Sequence, residues 1–135
     1  MDGQGTVKLP EAARVVGEWV ADGTTQGLLV RRRYLRYVWP GAVQLLINPG
    51  TPDEQRTFGT GRDVSGSGMG LVVRQELPVG ADIVVRYAAD GDRCPWVPAR
   101  VVHSTPVDGG YRVGIEFVLN ATDCPRHLWG TVRRG

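Results

Sequence analysis

The fold of this chain is decided by one ten-residue stretch near its middle, Arg62-Asp63-Val64-Ser65-Gly66-Ser67-Gly68-Met69-Gly70-Leu71. A polar, glycine-rich turn lies there between two segments of β-strand character. Its carboxylate only accepts hydrogen bonds, its hydroxyls donate or accept them, and a glycine lets the backbone adopt a positive φ. The turn is therefore either the wall of a site for a ligand with N–H donors, or a hairpin turn whose Asp and Ser bond its own backbone.

Elsewhere in the chain, apolar and polar residues alternate with a period of two. The alternation runs through residues 43–48, 82–87, 97–103 and 111–117. Sequences rich in Gly, Pro, Asn and Asp separate these segments, as expected for turns. Short strands spaced in this way predict an antiparallel barrel or sandwich.

Both ends of the chain differ from this pattern. Residues 10–22 show the 3.6-residue period of an amphipathic helix that buries Trp19, with Pro10 suited to its start and Gly23 to its stop. A short C-terminal helix or an irregular tail is expected from residue 125 to residue 134. The helix and the tail flank the strand-rich part of the chain.

Composition limits the class of protein. A chain of 135 residues suits one domain, and two cysteines without a CxxC or Cys/His cluster predict neither a disulfide framework nor a metal site. We find no apolar run long enough to span a membrane and no signal-peptide pattern, so a cytoplasmic protein is expected. The net charge is only +2.

Motifs of catalysis are missing from the sequence. The glycines around the central turn do not form GxGxxG, and that turn has no lysine for a phosphate-binding loop. Neither Ser65 nor Ser67 has the flanking glycines of a nucleophile elbow, and His103 and His127 stand alone. We therefore predict that the protein is not an enzyme and holds no cofactor.

One basic segment stands out, running from Arg31 to Trp39. Four of its residues are arginine, and Tyr and Trp residues are interleaved with them. The planar guanidinium group suits phosphates and the O6/N7 edge of guanine, while aromatic rings can stack on bases. The segment is therefore a nucleotide contact, a site for single-stranded nucleic acid on a small β-barrel, or a solvated basic loop. The low net charge argues against a long polyanion.

The basic segment and the central turn together form a recognisable pair of motifs. Arg32-x-x-x-Arg36 is followed 27 residues later by Asp63-x-Ser65-x-x-Gly68, which leads into another strand. In this order and spacing the two motifs resemble the PilZ domain family, the bacterial receptors for cyclic di-GMP. The resemblance covers roughly residues 28–119.

The resemblance implies a fold and a domain organisation. The family fold is a six-stranded antiparallel β-barrel, with the arginine segment as an arm that wraps over the barrel when ligand binds. We expect this barrel at residues 28–119, preceded by an N-terminal extension with the helix at residues 1–27 and followed by a tail at residues 120–135. Ordering of the arm would pass the signal to an unidentified downstream protein.

The resemblance also implies roles for the arginines. Arg32 and Arg36 would bind the guanine edges and phosphates of cyclic di-GMP, and Arg33 would contact a phosphate. Arg31 would engage a second ligand molecule, since the family can bind the dinucleotide as an intercalated pair.

The turn residues would complete that site. Asp63 would accept hydrogen bonds from guanine N1–H and N2–H, Ser65 would add another, and Gly68 would allow close backbone approach. All motif positions match the family pattern. This argues against the remaining alternative, a PilZ-like adaptor that acts through protein contacts and binds no nucleotide.

Overall fold

The computed structural model of the protein describes residues 10–26, 28–30 and 36–120. Its regular elements are one helix, eight strands and a 3₁₀ segment. In chain order they are α1 (Pro10–Gln26), β1 (Leu28–Val30), β2 (Arg36–Val38), β3 (Ala42–Ile47), β4 (Gln55–Val64), β5 (Gly68–Val73), β6 (Asp82–Tyr87), the 3₁₀ segment (Ala88–Arg93), β7 (Val97–Val107) and β8 (Gly110–Phe117).

Six of the strands close a barrel. Each of β3, β6, β7, β8, β5 and β4 pairs antiparallel with the next, and β4 returns to β3. Because the barrel is closed, each of these six strands pairs with a neighbour on both sides. The predicted six-stranded antiparallel barrel is confirmed. The short strands β1 and β2 pair with each other, and β2 joins the last residues of β4.

The period-two alternation places one face of each strand inside the barrel. On β8, Val113, Ile115 and Phe117 are buried while Arg112 and Glu116 are exposed. Successive side chains of a strand point to opposite faces of a sheet, so one apolar set per strand is enough to build the core. The other barrel strands contribute Val43, Leu45, Ile47, Val64, Met69, Leu71, Val73, Ile83, Val85, Val97, Ala99 and Val101 to the same core.

Helix α1 packs on the barrel through the predicted apolar face, and this confirms the N-terminal helix. Trp19 is buried, with its ring centroid 5.5 Å from that of Trp39 and 6.0 Å from that of Phe117. The predicted end of the helix was wrong, because α1 continues through Gly23 to Gln26. A Cβ atom at Gly23 would lie 2.8 Å from Tyr37 Cβ, so glycine is needed there for close packing rather than for a stop.

Candidate ligand site on the barrel surface

A β-bulge brings Asp63 to the outer face of the barrel. Gly61 pairs with Leu71 but Asp63 pairs with Gly70, so Arg62 is an extra residue on β4. A bulge of this kind shifts the alternation of the strand by one position. Val64 then points into the core opposite Met69, and the Asp63 carboxylate lies outside the core.

Arg36 and Asp63, one residue from each motif, form an ion pair. Strand β2 pairs with the end of β4, with Tyr37 opposite Val64 and Val38 opposite Asp63. The guanidinium of Arg36 donates from Nε to Asp63 Oδ1 over 2.9 Å and from Nη2 to the same oxygen. The side chain of Asp63 is 11% exposed and that of Arg36 is 27% exposed. Such charge-assisted hydrogen bonds are stronger than neutral ones.

The absence of a side chain at Gly70 leaves room for the carboxylate of Asp63. A Cβ atom on Gly70 would lie 2.9 Å from Oδ2 and 3.0 Å from Oδ1 of Asp63. The carboxylate therefore lies over the backbone of β5, directly across the strand pair. Our sequence analysis assigned no role to Gly70, because its only signal in the sequence is that a second glycine follows two positions after Gly68.

Ser65 serves the turn between β4 and β5. Its side chain is fully buried, and its Oγ accepts hydrogen bonds from the backbone N–H groups of Ser67 and Gly68, each over 3.2 Å. The backbone N–H of Ser65 donates to Gly68 O over 2.9 Å. The two interpretations of the central turn thus apply to different residues, because Ser65 bonds its own turn whereas Asp63 lies on the outer face.

Gly68 is required by packing between strands. A Cβ atom there would lie 2.3 Å from the carbonyl oxygen of Ile115 on β8. Gly68 does not use the freedom of glycine to adopt a positive φ, since the described glycines with positive φ are Gly50, Gly80, Gly91 and Gly109. The close pairing of β5 with β8 excludes a side chain at Gly68, and no unusual backbone angle is involved.

The remaining predicted arginines lie outside the described residues. Arg32 and Arg33 belong to the connection between β1 and β2, as does Arg31. The two strands joined by this connection pair antiparallel, with Leu28 opposite Tyr37. The roles of Arg31, Arg32 and Arg33 in ligand binding therefore stay predictions. The C-terminal helix or tail also falls outside the described residues.

The part of the chain that the structure describes has few other chemical features. It contains no group of three or more His, Cys, Asp and Glu residues suited to a metal ion. Its single helix is neither long nor apolar enough to cross a membrane. Cys94 is buried, and this burial raises the pKa of its thiol.

Comparison with known proteins identifies the family. The family model described as "PilZ domain" matches residues 30–130, well over half of the chain. Similar solved structures include the PilZ domain with c-di-GMP of YcgR from Escherichia coli, at 14% identity and a TM-score of 0.47, covering 78% of this chain and 88% of that chain.

Two further structures resemble the chain over about half of their own length. The Bacillus subtilis inhibitor of motility (MotI/DgrA) has 19% identity and a TM-score of 0.46, covering 78% of this chain and 52% of that chain. The K. pneumonia MrkH–c-di-GMP complex has 18% identity and a TM-score of 0.45, covering 78% of this chain and 49% of that chain. No match was found among curated proteins. On the strength of the family model, the chain belongs to the PilZ domain family.

Proposed function

We propose that this protein is a non-enzymatic receptor for cyclic di-GMP. The observation that carries the proposal is the ion pair between Arg36 and Asp63, two residues 27 positions apart that come from the two motifs of the family. The pair lies at the surface of the barrel, and Arg32 and Arg33 shortly precede Arg36 in the sequence.

The chemistry of this pair suits guanine. Arg36 directs Nε and Nη2 at one oxygen of Asp63. An ionised carboxylate has two oxygens and room for about four hydrogen bonds, so it can also accept from guanine N1–H and N2–H. Arginine has five N–H donors, and those not directed at Asp63 match guanine O6 and N7 or a phosphate oxygen. One ion pair thus offers acceptors and donors side by side, which is what the guanine edge requires.

The proposal assigns the remaining motif residues as follows. Arg32 binds a guanine edge or phosphate and Arg33 a phosphate, since guanidinium groups bind phosphate in a bidentate manner. Ser65 and Gly68 act mainly through the turn, because the hydroxyl of Ser65 bonds the backbone of that turn and Gly68 packs against β8. They keep Asp63 in position and give the ligand a close approach to the backbone.

We propose that binding passes to a separate protein through the arginine arm, inside the cytoplasm. Part of that arm already belongs to the sheet, since β2 pairs with both β1 and β4. Helix α1 ends at Gln26 and β1 begins at Leu28, so the helix is the nearest neighbour of the arm along the chain. Its exposed face, which includes Glu11, Arg14 and Glu18, is where we would seek the partner contact.

Calorimetric titration with cyclic di-GMP tests the proposal. We expect the wild-type protein to bind, and Asp63→Ala and Arg32→Ala each to weaken binding by about 10-fold to 100-fold, since a bidentate contact to a base contributes about 1–3 kcal/mol. Arg14→Ala is the matched control, because this exposed arginine lies on α1 away from the site and should leave the affinity unchanged.

The titration also separates the two alternatives. Absence of heat and of a thermal shift at saturating cyclic di-GMP would refute the receptor and favour a PilZ-like adaptor. Tight binding of a single-stranded oligonucleotide that Asp63→Ala does not affect would favour a nucleic-acid-binding barrel. The dinucleotide should be recovered unchanged after long incubation, as expected for a receptor without catalytic groups.

A further inference from the structure

The outer face of the barrel carries a second group in register with Asp63. Asp63 on β4 pairs with Gly70 on β5, Gly70 pairs with Gly114 on β8, and Gly114 pairs with His103 on β7. These four residues form one row across four strands, here called the glycine row. A functional side chain stands at each end, and two glycines lie between.

His103 reaches the outer face in the same way as Asp63. The register of β7 against β8 shifts between Val101 and His103, so Val102 is an extra residue on that strand. Val101 is buried in the core, whereas His103 is exposed. The row therefore has a bulge at each end, and bulges are known to redirect side chains beside functional sites.

The imidazole of His103 lies against the backbone of Gly114. A Cβ atom on Gly114 would lie 2.2 Å from Nε2, 2.6 Å from Cδ2 and 2.8 Å from Cε1 of His103. Three such similar distances mean that this point faces the plane of the ring and does not lie beyond its edge. One face of the imidazole thus covers Gly114, and His103 as a whole residue is exposed.

The glycines bring the two end groups close together. The Asp63 carboxylate lies over Gly70 on β5, and the His103 ring lies over Gly114 on the adjacent strand β8. Adjacent strands are about 4.8 Å apart, so carboxylate and ring are separated by roughly one strand spacing. A planar heterocycle on the ring would then have its edge within reach of Asp63 and Arg36.

We infer that His103 is a third ligand-binding residue, a stacking platform for one purine base of the dinucleotide. This inference rests on the proposed function. Aromatic rings bind bases through their faces, and the contact needs an exposed ring held in a fixed orientation. Because Gly114 has no side chain, the His103 ring can lie directly on the backbone of β8.

Calorimetric titration of variants with cyclic di-GMP tests the platform. His103→Ala should weaken binding about tenfold, the order expected for loss of one base–aromatic stack, whereas His103→Phe, which keeps a ring, should retain most of the affinity. Thr105→Ala is the matched control, since Thr105 is exposed on the same strand two positions further and pairs with Arg112 outside the glycine row.

A second variant tests the role of the glycine beneath the ring. Gly114→Ala places a methyl group where the His103 ring now lies, and the ring, as the end of an exposed side chain, is displaced at little cost to the fold. It should weaken binding about as much as His103→Ala. Combining the two substitutions should bring no further loss, because the ring is already gone.

The outcomes separate the platform from the proposed function. Wild-type binding that Asp63→Ala weakens and His103→Ala leaves unchanged would overturn the platform and leave the receptor standing. The platform would also be overturned if His103→Ala and His103→Phe lost the same amount of affinity for cyclic di-GMP. The same holds if Gly114→Ala weakened binding as much in the His103→Ala background as it does in the wild-type protein. Failure of the wild-type protein to bind cyclic di-GMP would remove both the platform and the receptor.

Discussion

Substitution of Gly68 by alanine should damage the fold more than the ligand site. The added Cβ atom would lie 2.3 Å from Ile115 O, and real Cβ atoms essentially never approach another heavy atom within 3.0 Å. The obstructing atom belongs to the backbone of β8, so no side-chain rotation relieves the contact. Strands β5 and β8 must therefore separate by several tenths of an ångström along a pairing that runs from Gly68 to Val73.

The expected cost is about 2–3 kcal/mol, the upper part of the range for overpacking in a well-packed interior. For a domain of this size, that loss lowers the melting temperature by about 10 °C. Urea unfolding followed by circular dichroism measures the free energy, and a thermal scan measures the midpoint. Gly66→Ala is the matched control, since a Cβ atom there meets nothing within 4 Å. It should be neutral or slightly stabilising, because alanine restricts the unfolded chain.

One result would refute this reasoning. If Gly68→Ala unfolds at the same urea concentration as the wild type but no longer binds cyclic di-GMP, the motif glycine serves the ligand directly and packing against Ile115 is not its reason. If Gly66→Ala is as destabilised as Gly68→Ala, the turn itself resists any side chain, and the contact with β8 is not the cause.

Three further predictions concern the ion pair, the helix and the thiol. Asp63→Asn should lower the ligand-free stability by about 1–2 kcal/mol in urea unfolding, since it weakens partly buried hydrogen bonds to Arg36. Loss of the exposed Arg14–Glu18 pair should have a much smaller effect in the same assay, because solvent screens it. Trp19→Ala should cost about 3–5 kcal/mol, because a buried ring leaves a cavity. In a Cys124→Ser background, Cys94 should resist iodoacetamide at pH 8 until urea unfolds the protein, because burial raises its pKa and shields the sulfur.

Much of the fold could be predicted because the sequence encodes it locally. The alternation in β8 and the apolar face around Trp19 are patterns of neighbouring residues, and each pattern fixes which side of an element is buried. The family motifs are equally local. The chain belongs to the PilZ domain family, and this agrees with the prediction that the domain is a receptor domain and not an enzyme.

The site could be predicted only in part, because its geometry depends on register. The bulge at Arg62 decides whether Asp63 points outward, and nothing in the composition of Gly61-Arg62-Asp63 distinguishes it from regular strand. Likewise, the positions of Gly70 and Gly114 beside Asp63 and His103 follow from the pairing of β4, β5, β8 and β7, which the sequence alone does not reveal. The sequence analysis treated His103 as an isolated histidine because its neighbours in space are distant in the chain.

Gly23 is a point of close contact between helix α1 and the strands β2 and β4. Gly23 faces Tyr37, which follows Arg36 on β2, and Val64, which follows Asp63 on β4. A Cβ atom at this point would lie 2.8 Å from Tyr37 Cβ and 3.3 Å from Val64 Cγ1, so helix and strands are in contact without spare space.

This contact has an optical consequence. Trp19 lies one helical turn before Gly23, and its ring is in contact with that of Trp39, which immediately follows β2. A shift of β2 or β4 would change the packing of these two indoles. If the proposed ligand moves either strand, we expect tryptophan emission to follow binding without an added label.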